Sequence, residues 1–321
     1  MKNTLRIICL TISLLALYFT ANSQTHAYIS DKINCTYETY KGRIHGKYIS
    51  YYPNGNKKAE GNFENNYRSG NWKVWDSSGV LKVERFYRNP FEYDILLPGE
   101  SEDNRVTLPI PSVYTLQYNS DNYIESFVLD ASMVTWGKRI WRWIPIENND
   151  LLFENNILFN TIHHNVIQGN MIAYNSSNDI FTKELKFADI DTSNLKIIGF
   201  KIKEDHSYDT RRSVSEARIL GICPVAIHKT SMDTIDIYWV RFPALRKYLA
   251  AVNITNKSNS ATIKTLDDLF FFRDFYGIIY KEDNIYNRSI SDYKKGEEIN
   301  KEAESIEINL IEMEHELWSN L

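Results

Sequence analysis

A repeat of 24 residues near the amino terminus constrains the fold of this chain more than any other feature. Aromatic, glycine and charged positions recur in the same register in two successive copies. They are Gly46, Tyr48, Tyr51, Gly55, Lys58, Glu60 and Phe63 in the first copy, and Gly70, Trp72, Trp75, Gly79, Lys82, Glu84 and Tyr87 in the second. Periods of this length are typical of stacked structural repeats, in which one unit cannot bury its apolar face alone.

Each copy has the pattern of a β-hairpin. An aromatic-rich strand runs into the turn Pro53-Asn54-Gly55 or Ser77-Ser78-Gly79, where glycine supplies the positive φ of a tight reversal, and a second strand follows. Residues 37–44 are predicted to form a weaker first unit. Because an isolated hairpin is unstable, the units are expected to join into one extended sheet. The Tyr and Trp stripe is interpreted as the core of that sheet, with a ligand-binding groove as the alternative.

The rest of the chain follows a different pattern. Residues 96–113 combine an acidic polar run with prolines and are predicted to be a linker. Residues 114–321 then alternate between strand and helix patterns. The predicted elements are strands over 123–129 and 195–203, a helix over 151–168 stopped by Gly169, a hairpin of 218–228 and 235–242, a helix capped by Thr265, and a helix over 292–321.

The last of these helices has the strongest pattern in the chain. Apolar residues spaced by four and three positions form a continuous seam, made of Ile299, Ala303, Ile306, Leu310, Met313 and Leu317. The seam is predicted to pack on the protein's own domain, with a partner helix as the alternative. The predicted fold class is therefore α+β: a small antiparallel β-hairpin repeat module over 36–95, followed by a mixed α+β domain that ends in a long helix.

The amino terminus reads as a cleavable signal peptide over residues 1–23. Lys2 and Arg6 precede an apolar run over 7–19, and Ala21 and Ser23 are the small residues that a signal peptidase requires before Gln24. The run is shorter than the ~20 residues of a membrane-spanning helix, so a soluble, exported protein is expected. Removing Lys2 and Arg6 leaves 35 basic and 41 acidic residues, and the resulting net charge of −6 argues against nucleic-acid binding.

Motifs of catalysis and metal binding are missing from the sequence, so no enzymatic activity, cofactor or metal is predicted. Cys35 and Cys223 are each isolated and are interpreted as buried side chains, although an oxidising compartment could join them. His163 and His164 are adjacent in a helix and point about 100° apart, which makes them poor joint ligands. The densest polar cluster covers 204–206 and 209–212; salt bridges are favoured there over a hydrolytic site.

One short segment mixes the residue types that dominate binding hot spots. It contains Arg139, Trp141, Arg142 and Trp143, and it is predicted to contribute to a protein interface. The alternative is an amphipathic strand with its tryptophans in the core.

Two family resemblances extend this interpretation. Residues 42–88 resemble the MORN-type repeats of YwqK-like proteins. Residues 132–321 resemble the GldN/PorN family of the gliding-motility and type IX secretion machinery of Bacteroidetes. The second resemblance rests on six ordered segments: KRIWR from Lys138, KIKED from Lys201, RILGICP from Arg218, YWVRFP from Tyr238, LDDLF from Leu266 and YKEDN from Tyr280.

The GldN/PorN resemblance implies a structural subunit of the periplasm, associated with the outer membrane. Its implied partners are a GldK/PorK-type outer-membrane lipoprotein, with which it would form a ring, the periplasmic part of a GldM/PorM-type motor protein, and further copies of itself. The alternative function is a free-standing periplasmic or surface binding protein that uses its MORN-like repeats.

Overall fold

The computed structural model describes residues 23–89, 92–96, 116–177, 179–186, 190–254 and 263–319. The chain divides into two compact units, Met1–Leu108 and Pro109–Leu321. The predicted signal peptide, apart from Ser23, and nearly all of the predicted linker lie outside the described residues. No helix among the described residues has both the length and the apolar character needed to cross a membrane.

The first unit is a seven-stranded antiparallel sheet in which the strands lie in sequence order. The strands are β1 (Ser23–Ile29), β2 (Asn34–Tyr40), β3 (Arg43–Tyr51), β4 (Lys57–Glu64), β5 (Tyr67–Trp75), β6 (Leu81–Asn89) and β7 (Glu92–Leu96). The two predicted hairpins are β3–β4 and β5–β6. Residues 37–44, predicted to form a weaker first unit, span the end of β2, a turn at Lys41 and Gly42, and the start of β3.

The turns and the core of this sheet repeat with the sequence. Gly55 and Gly79 have φ values of 87° and 90°, and each donates its amide to the carbonyl three residues earlier at 2.9 Å. On one face, the rings of Tyr48, Phe63 and Trp72 pack together with centroids 5.0 to 5.9 Å apart. Gly61 makes this possible, because a β-carbon there would lie 2.2 Å from Trp72. The aromatic stripe thus forms the buried face of the sheet.

The second unit is built on a six-stranded antiparallel sheet. Its order is β11-β10-β9-β8-β13, and β12 pairs with β10. The strands are β8 (Val134–Pro145), β9 (Leu195–Asp209), β10 (Val214–His228), β11 (Thr234–Asp236), β12 (Val240–Arg241) and β13 (Ile278–Glu282). The helices are α1 (Asp150–Phe153), α2 (Ile157–Ile167), α3 (Phe242–Ala250), α4 (Leu266–Phe271) and α5 (Glu297–Ser319). The α+β prediction, with a hairpin sheet first and a long helix last, is confirmed.

The first half of the predicted apolar seam of α5 packs on the sheet of its own unit. Farther along the helix Met313 and Leu317 are only half-buried, whereas Glu312, Glu314 and His315 are buried. Ala303, Ile306 and Leu310 form one buried cluster with Ile140 of β8 and Ile279 of β13. Burial of such side chains contributes about 1.5–3 kcal/mol each relative to exposure. Thr265 begins α4 as predicted, since its hydroxyl accepts from the amide of Asp268 at 3.1 Å.

The prediction of a strand over residues 123–129 is wrong. Apart from an isolated bridge between Ile124 and Tyr118, this segment pairs with no strand among the described residues. Arginine side chains satisfy its carbonyls instead: Arg246 donates to Ile124 O at 2.7 Å, and Arg218 donates to Phe127 O. Only Ile124 of this segment is buried, and Val128 is 89% exposed, so its apolar residues form neither a paired strand nor a continuous core face.

Two further predicted elements are interrupted. The helix over 151–168 breaks between α1 and α2, where Asn155 and Asn156 adopt positive φ values of 52° and 54°. Asparagine tolerates this conformation, which an uninterrupted helix excludes. The strand over 235–242 is short, because Phe242 begins α3 with Pro243 in its first turn.

Candidate interaction surfaces

Strand β8 carries all four residues predicted for a protein interface and divides them between its two faces. Arg139, Trp141 and Trp143 lie on one face and Arg142 on the other. The side chain of Arg139 is 40% exposed, and its guanidinium donates to both carboxylate oxygens of Asp205 at 2.6 and 2.8 Å. Trp143 is half-buried above Gly199, where a β-carbon would approach its ring to 2.1 Å. Trp141 and Arg142 are buried.

Arg142 belongs to a buried ion network that the sequence analysis did not identify. Its Nε donates to Glu204 Oε2 at 3.0 Å, and its Nη atoms donate to the carboxylate of Glu307 on α5. Glu204 is fully buried and also accepts from Arg273 at 2.8 Å and from His206 Nε2 at 3.0 Å. The network therefore connects two adjacent strands to the long helix.

The charges of this network determine its protonation. Burial alone would raise the pKa of Glu204, but the positive charges of Arg273 and Arg142 outweigh it and hold that pKa well below the ordinary value. Burial lowers the pKa of His206, although the hydrogen bond to Glu204 opposes the shift. Glu204 is thus an ionised partner of two arginines, and its proton is not available for acid catalysis near neutral pH.

The opposite face of β8 surrounds Trp141 with cations. The ammonium groups of Lys281 and Lys203 lie 4.2 and 5.4 Å from its ring centroid, within the range of cation–π attraction. The indole N–H donates to the carboxylate of Asp179, and Lys203 donates to the Asp179 carbonyl at 2.8 Å. This arrangement fixes the ring inside the unit rather than presenting it to a partner.

Two of the remaining candidates for chemistry, Asp209 and His163, are also engaged in internal contacts. Asp209 accepts from Arg212 at 2.9 Å, in line with the favoured interpretation of the polar cluster as salt bridges. His163 lies 3.0 Å from the hydroxyl of Tyr238, while the adjacent His164 is exposed. Cys35 and Cys223 are buried thiols in different units. Among the described residues, no three His, Cys, Asp or Glu side chains are grouped to hold a metal.

Two exposed features were not found from the sequence. The turn after β13 displays Ile285, which is 98% exposed, and Tyr286, which is 73% exposed; we call residues 283–288 the display loop. A cleft of about 590 Å³ lies between α2 and the end of α3, and we call it the α2–α3 cleft. Its walls include Ile157, Asn160 and Tyr248. In the sequence, only the adjacent pair Ile285 and Tyr286 points to the loop. The cleft could not be predicted, because it lies beside the break at Asn155 in a segment that was predicted to be one continuous helix.

The fold and these surfaces define a repeat-bearing protein whose dense polar clusters are used for internal ion pairs. Residues 44–65 and 68–89 match the MORN repeat variant, in agreement with the resemblance inferred from the sequence. Residues 129–319 match the family described as gliding motility associated protein GldN, and this match covers more than half of the chain. The chain therefore belongs to the GldN family. No curated protein matches it significantly.

Proposed function

We propose that this protein is a periplasmic structural component of the type IX secretion and gliding-motility apparatus. In this role it assembles with an outer-membrane lipoprotein of the GldK/PorK type into a ring, and the periplasmic part of a GldM/PorM-type motor protein is its second partner. The observation that carries the proposal is the family match over residues 129–319. The signal peptide predicted over residues 1–23 supports the location.

The construction of the second unit supports a mechanical role. The long helix α5 is held to the sheet both by its apolar seam and by the Arg142–Glu307 contact, and we propose that sheet and helix act as one rigid body. Such a body transmits force between neighbours without internal rearrangement. On β8, Arg139 and Trp143 keep accessible surface and are the proposed partner contacts of that strand.

The chain organisation is part of the proposal. We assign residues 36–95 to the repeat module, 96–113 to a linker and 114–321 to the assembly domain. In this arrangement the repeat module is an added interaction surface, and the family-specific contacts are made by residues after the linker.

Purification of the tagged native protein from envelope extracts tests the assembly role. Co-migration with the lipoprotein in a complex much larger than the 37.6 kDa chain is expected. A solitary monomer that binds a glycan or peptide would instead favour the free-standing binding protein.

A deletion separates the contributions of the two units. Removing residues 42–88 leaves the assembly domain intact, so co-purification with the lipoprotein is expected to persist. Loss of the complex on this deletion, with the remaining chain still folded, would contradict the assignment of the assembly contacts to residues 114–321.

A further inference from the structure

A short segment crosses the sheet of the second unit on the face opposite to α5. It consists of residues 179–184, which we call the strap. Beneath it, one residue from each of five strands lies in register with the next, and together they form a row across the sheet: Arg241, Gly221, Lys203, Trp141 and Lys281. Residues in register on an antiparallel sheet share one face. The row therefore combines three cations, one indole and one position without a side chain.

Phe181 of the strap occupies the space above Gly221. A β-carbon at Gly221 would lie 2.3 Å from its ring. The ring meets Tyr174 and Trp239 edge to face, with centroids 5.5 and 6.2 Å apart. The guanidinium of Arg241 lies 5.7 Å from the same ring. The glycine in the middle of β10 thus provides a seat for one aromatic side chain.

Asp179 supplies the negative charge of the strap. Its carboxylate accepts from the indole N–H of Trp141 and lies 3.5 Å from the ammonium group of Lys203. The other two cations of the row, Arg241 and Lys281, form no ion pair within the described ranges. Burial lowers the pKa of Lys203 even though Asp179 opposes the shift. The strap therefore compensates only part of the positive charge beneath it.

The strap is strained at the residue that fills the seat. Phe181 has a φ of 55°, in the left-handed region that bulky side chains rarely adopt. Such a conformation persists only where surrounding contacts enforce it, and it is characteristic of ligand clamps and switch regions. Ile180, between the two inward-facing side chains, is 60% exposed, so the strap is a thin cover. Displacing Phe181 would release this strain.

The base of the strap is fixed by bonds that do not involve its tip. The amide of Leu185 donates to the carbonyl of Ala173 at 2.8 Å, and Glu184 forms a bridge with Tyr174. Tyr174 in turn exchanges backbone hydrogen bonds with Trp239 at 2.8 and 3.0 Å. The tip can therefore leave the row while the base keeps its bonds.

We propose that the row beneath the strap binds a partner segment in which acidic residues precede an aromatic residue, and that Asp179 and Phe181 close this site in the free chain. The aromatic ring of the partner takes the seat above Gly221, and its carboxylates pair with Lys203 and Arg241. A segment with two carboxylates is favoured over the strap, because Asp179 alone leaves two cations of the row without an ion pair. This site is additional to the proposed assembly role and does not depend on which protein supplies the segment.

Fluorescence anisotropy with a fluorescein-labelled peptide of sequence DDIFT tests the site on the purified mature protein. Binding to the wild type is expected to be weak. The opened variant Asp179→Asn/Phe181→Ser is expected to bind at least about tenfold more tightly, since the occupant and its strain are removed. Lys183→Gln changes an exposed strap residue and is the matched control, with wild-type affinity expected.

Two further comparisons identify what the site recognises. In the opened variant, the additional change Arg241→Gln is expected to weaken binding of DDIFT by about two- to fivefold. The peptide DDIAT, which lacks the ring, is expected to bind the opened variant at least about tenfold more weakly than DDIFT. Equal affinity for the two peptides would reduce the site to a cationic patch and overturn the proposal.

The role of the strap as a cover has its own test. Equal affinity of DDIFT for the wild type and the opened variant, or no binding to an opened variant whose thermal unfolding midpoint shows that it is folded, would also overturn the proposal. Hydrogen exchange of the wild type requires no variant: excess DDIFT is expected to accelerate exchange in residues 179–184 and to leave β8 and β9 unchanged. Unchanged exchange in the strap at saturating peptide would contradict displacement.

Discussion

In the first sheet every strand pairs with its neighbours in the sequence, whereas in the second unit β8 pairs with strands that lie far along the chain. Contacts between the two copies of the repeat join residues 23 apart, as in the bonds from Tyr52 to Trp75 and from Asn54 to Ser77. In the second unit Arg142 and Glu307 are 165 residues apart. The sheet is thus held by many equivalent local contacts, and the second unit by a few unique distant ones.

This difference predicts how each unit responds to damage. In a repeat sheet each unit contacts mainly its neighbours, so a local defect remains near its origin. In the second unit one side chain joins β8, β9 and α5, so its loss affects elements that are distant in the sequence. Variants of the two units measured side by side therefore distinguish local from distributed stabilisation.

The largest expected effect comes from Arg142→Met. It leaves the buried carboxylate of Glu204 with fewer cationic partners, and breaking a buried pair costs about 3–5 kcal/mol in the free energy of unfolding. Hydrogen exchange resolved by peptide is expected to show faster exchange in β8, β9 and α5 and no change in the first sheet.

Arg139→Met is the matched control on the same strand. Its ion pair with Asp205 is partly exposed, so a loss of less than about 1 kcal/mol is expected. Equal losses in the free energy of unfolding for the two variants would mean that the buried Arg142 network stabilises the second unit no more than an exposed ion pair does.

A pair of glycine substitutions compares the cores directly, with overpacking costs of about 1–3 kcal/mol each. Gly199→Ala places a β-carbon 2.1 Å from Trp143 and 2.7 Å from the backbone oxygen of Ile144, whereas the three atoms nearest to a β-carbon at Gly61 all belong to the ring of Trp72. Because a ring shifts more easily than a backbone, the larger loss in urea denaturation is expected for Gly199→Ala.

Gly137→Ala serves as the reference for this pair, since its nearest neighbour would be 3.7 Å away and the stability should change little. A larger loss for Gly61→Ala than for Gly199→Ala would contradict the assignment of the less adaptable packing to the second unit.

Acidification should weaken the second unit in a smaller, graded way. Burial lowers the folded-state pKa of both His206 and His163 below 6.5, so the unfolded chain binds more protons as the pH falls through that value. The stabilisation is complete above pH 6.5 and declines below it. Urea midpoints of the wild type at pH 7.5 and 5.5 measure the decline.

The double variant His206→Gln/His163→Gln is expected to show a weaker dependence over the same range, because glutamine does not titrate. At lower pH the stability should fall further, since the depressed pKa of Glu204 stabilises the fold only while its carboxylate is charged. An unchanged pH dependence in the double variant would exclude these histidines as its cause.

The smallest effect is expected for Glu60→Gln in the first sheet. Glu60 lies 2.6 Å from Lys57 and 3.0 Å from Lys47, and hydrogen bonding to Lys57 lowers its pKa despite partial burial. Such exposed pairs contribute less than about 1 kcal/mol, and salt screens them. The difference from wild type should disappear in 1 M NaCl; a loss that persists there would show that Glu60 acts through packing.

The features that were predictable from the sequence are those with a local physical cause. The 24-residue period, the glycine turns and the cap at Thr265 depend on residues close in the sequence, and all appear in the structure. The seam of α5 was predictable for the same reason: apolar residues three and four positions apart lie on one face of a helix, and that face has to be covered.

The features that were missed depend on contacts distant in the sequence. Nothing near Arg142 indicates that it meets Glu204 and Glu307, since the pairing follows from the packing of α5. The segment over 123–129 was mistaken for a strand because its carbonyls bind distant arginines, and the cleft depends on two left-handed asparagines within a helical pattern.

The way in which the repeats are joined determines how the amino-terminal sheet varies in length. Each 24-residue unit adds two antiparallel strands, so the first strands of successive units run in the same direction. Whole units gained or lost leave the orientation of Tyr48, Phe63 and Trp72 unchanged. Since neighbouring strands lie about 4.8 Å apart, the width of the sheet changes in increments of about 10 Å.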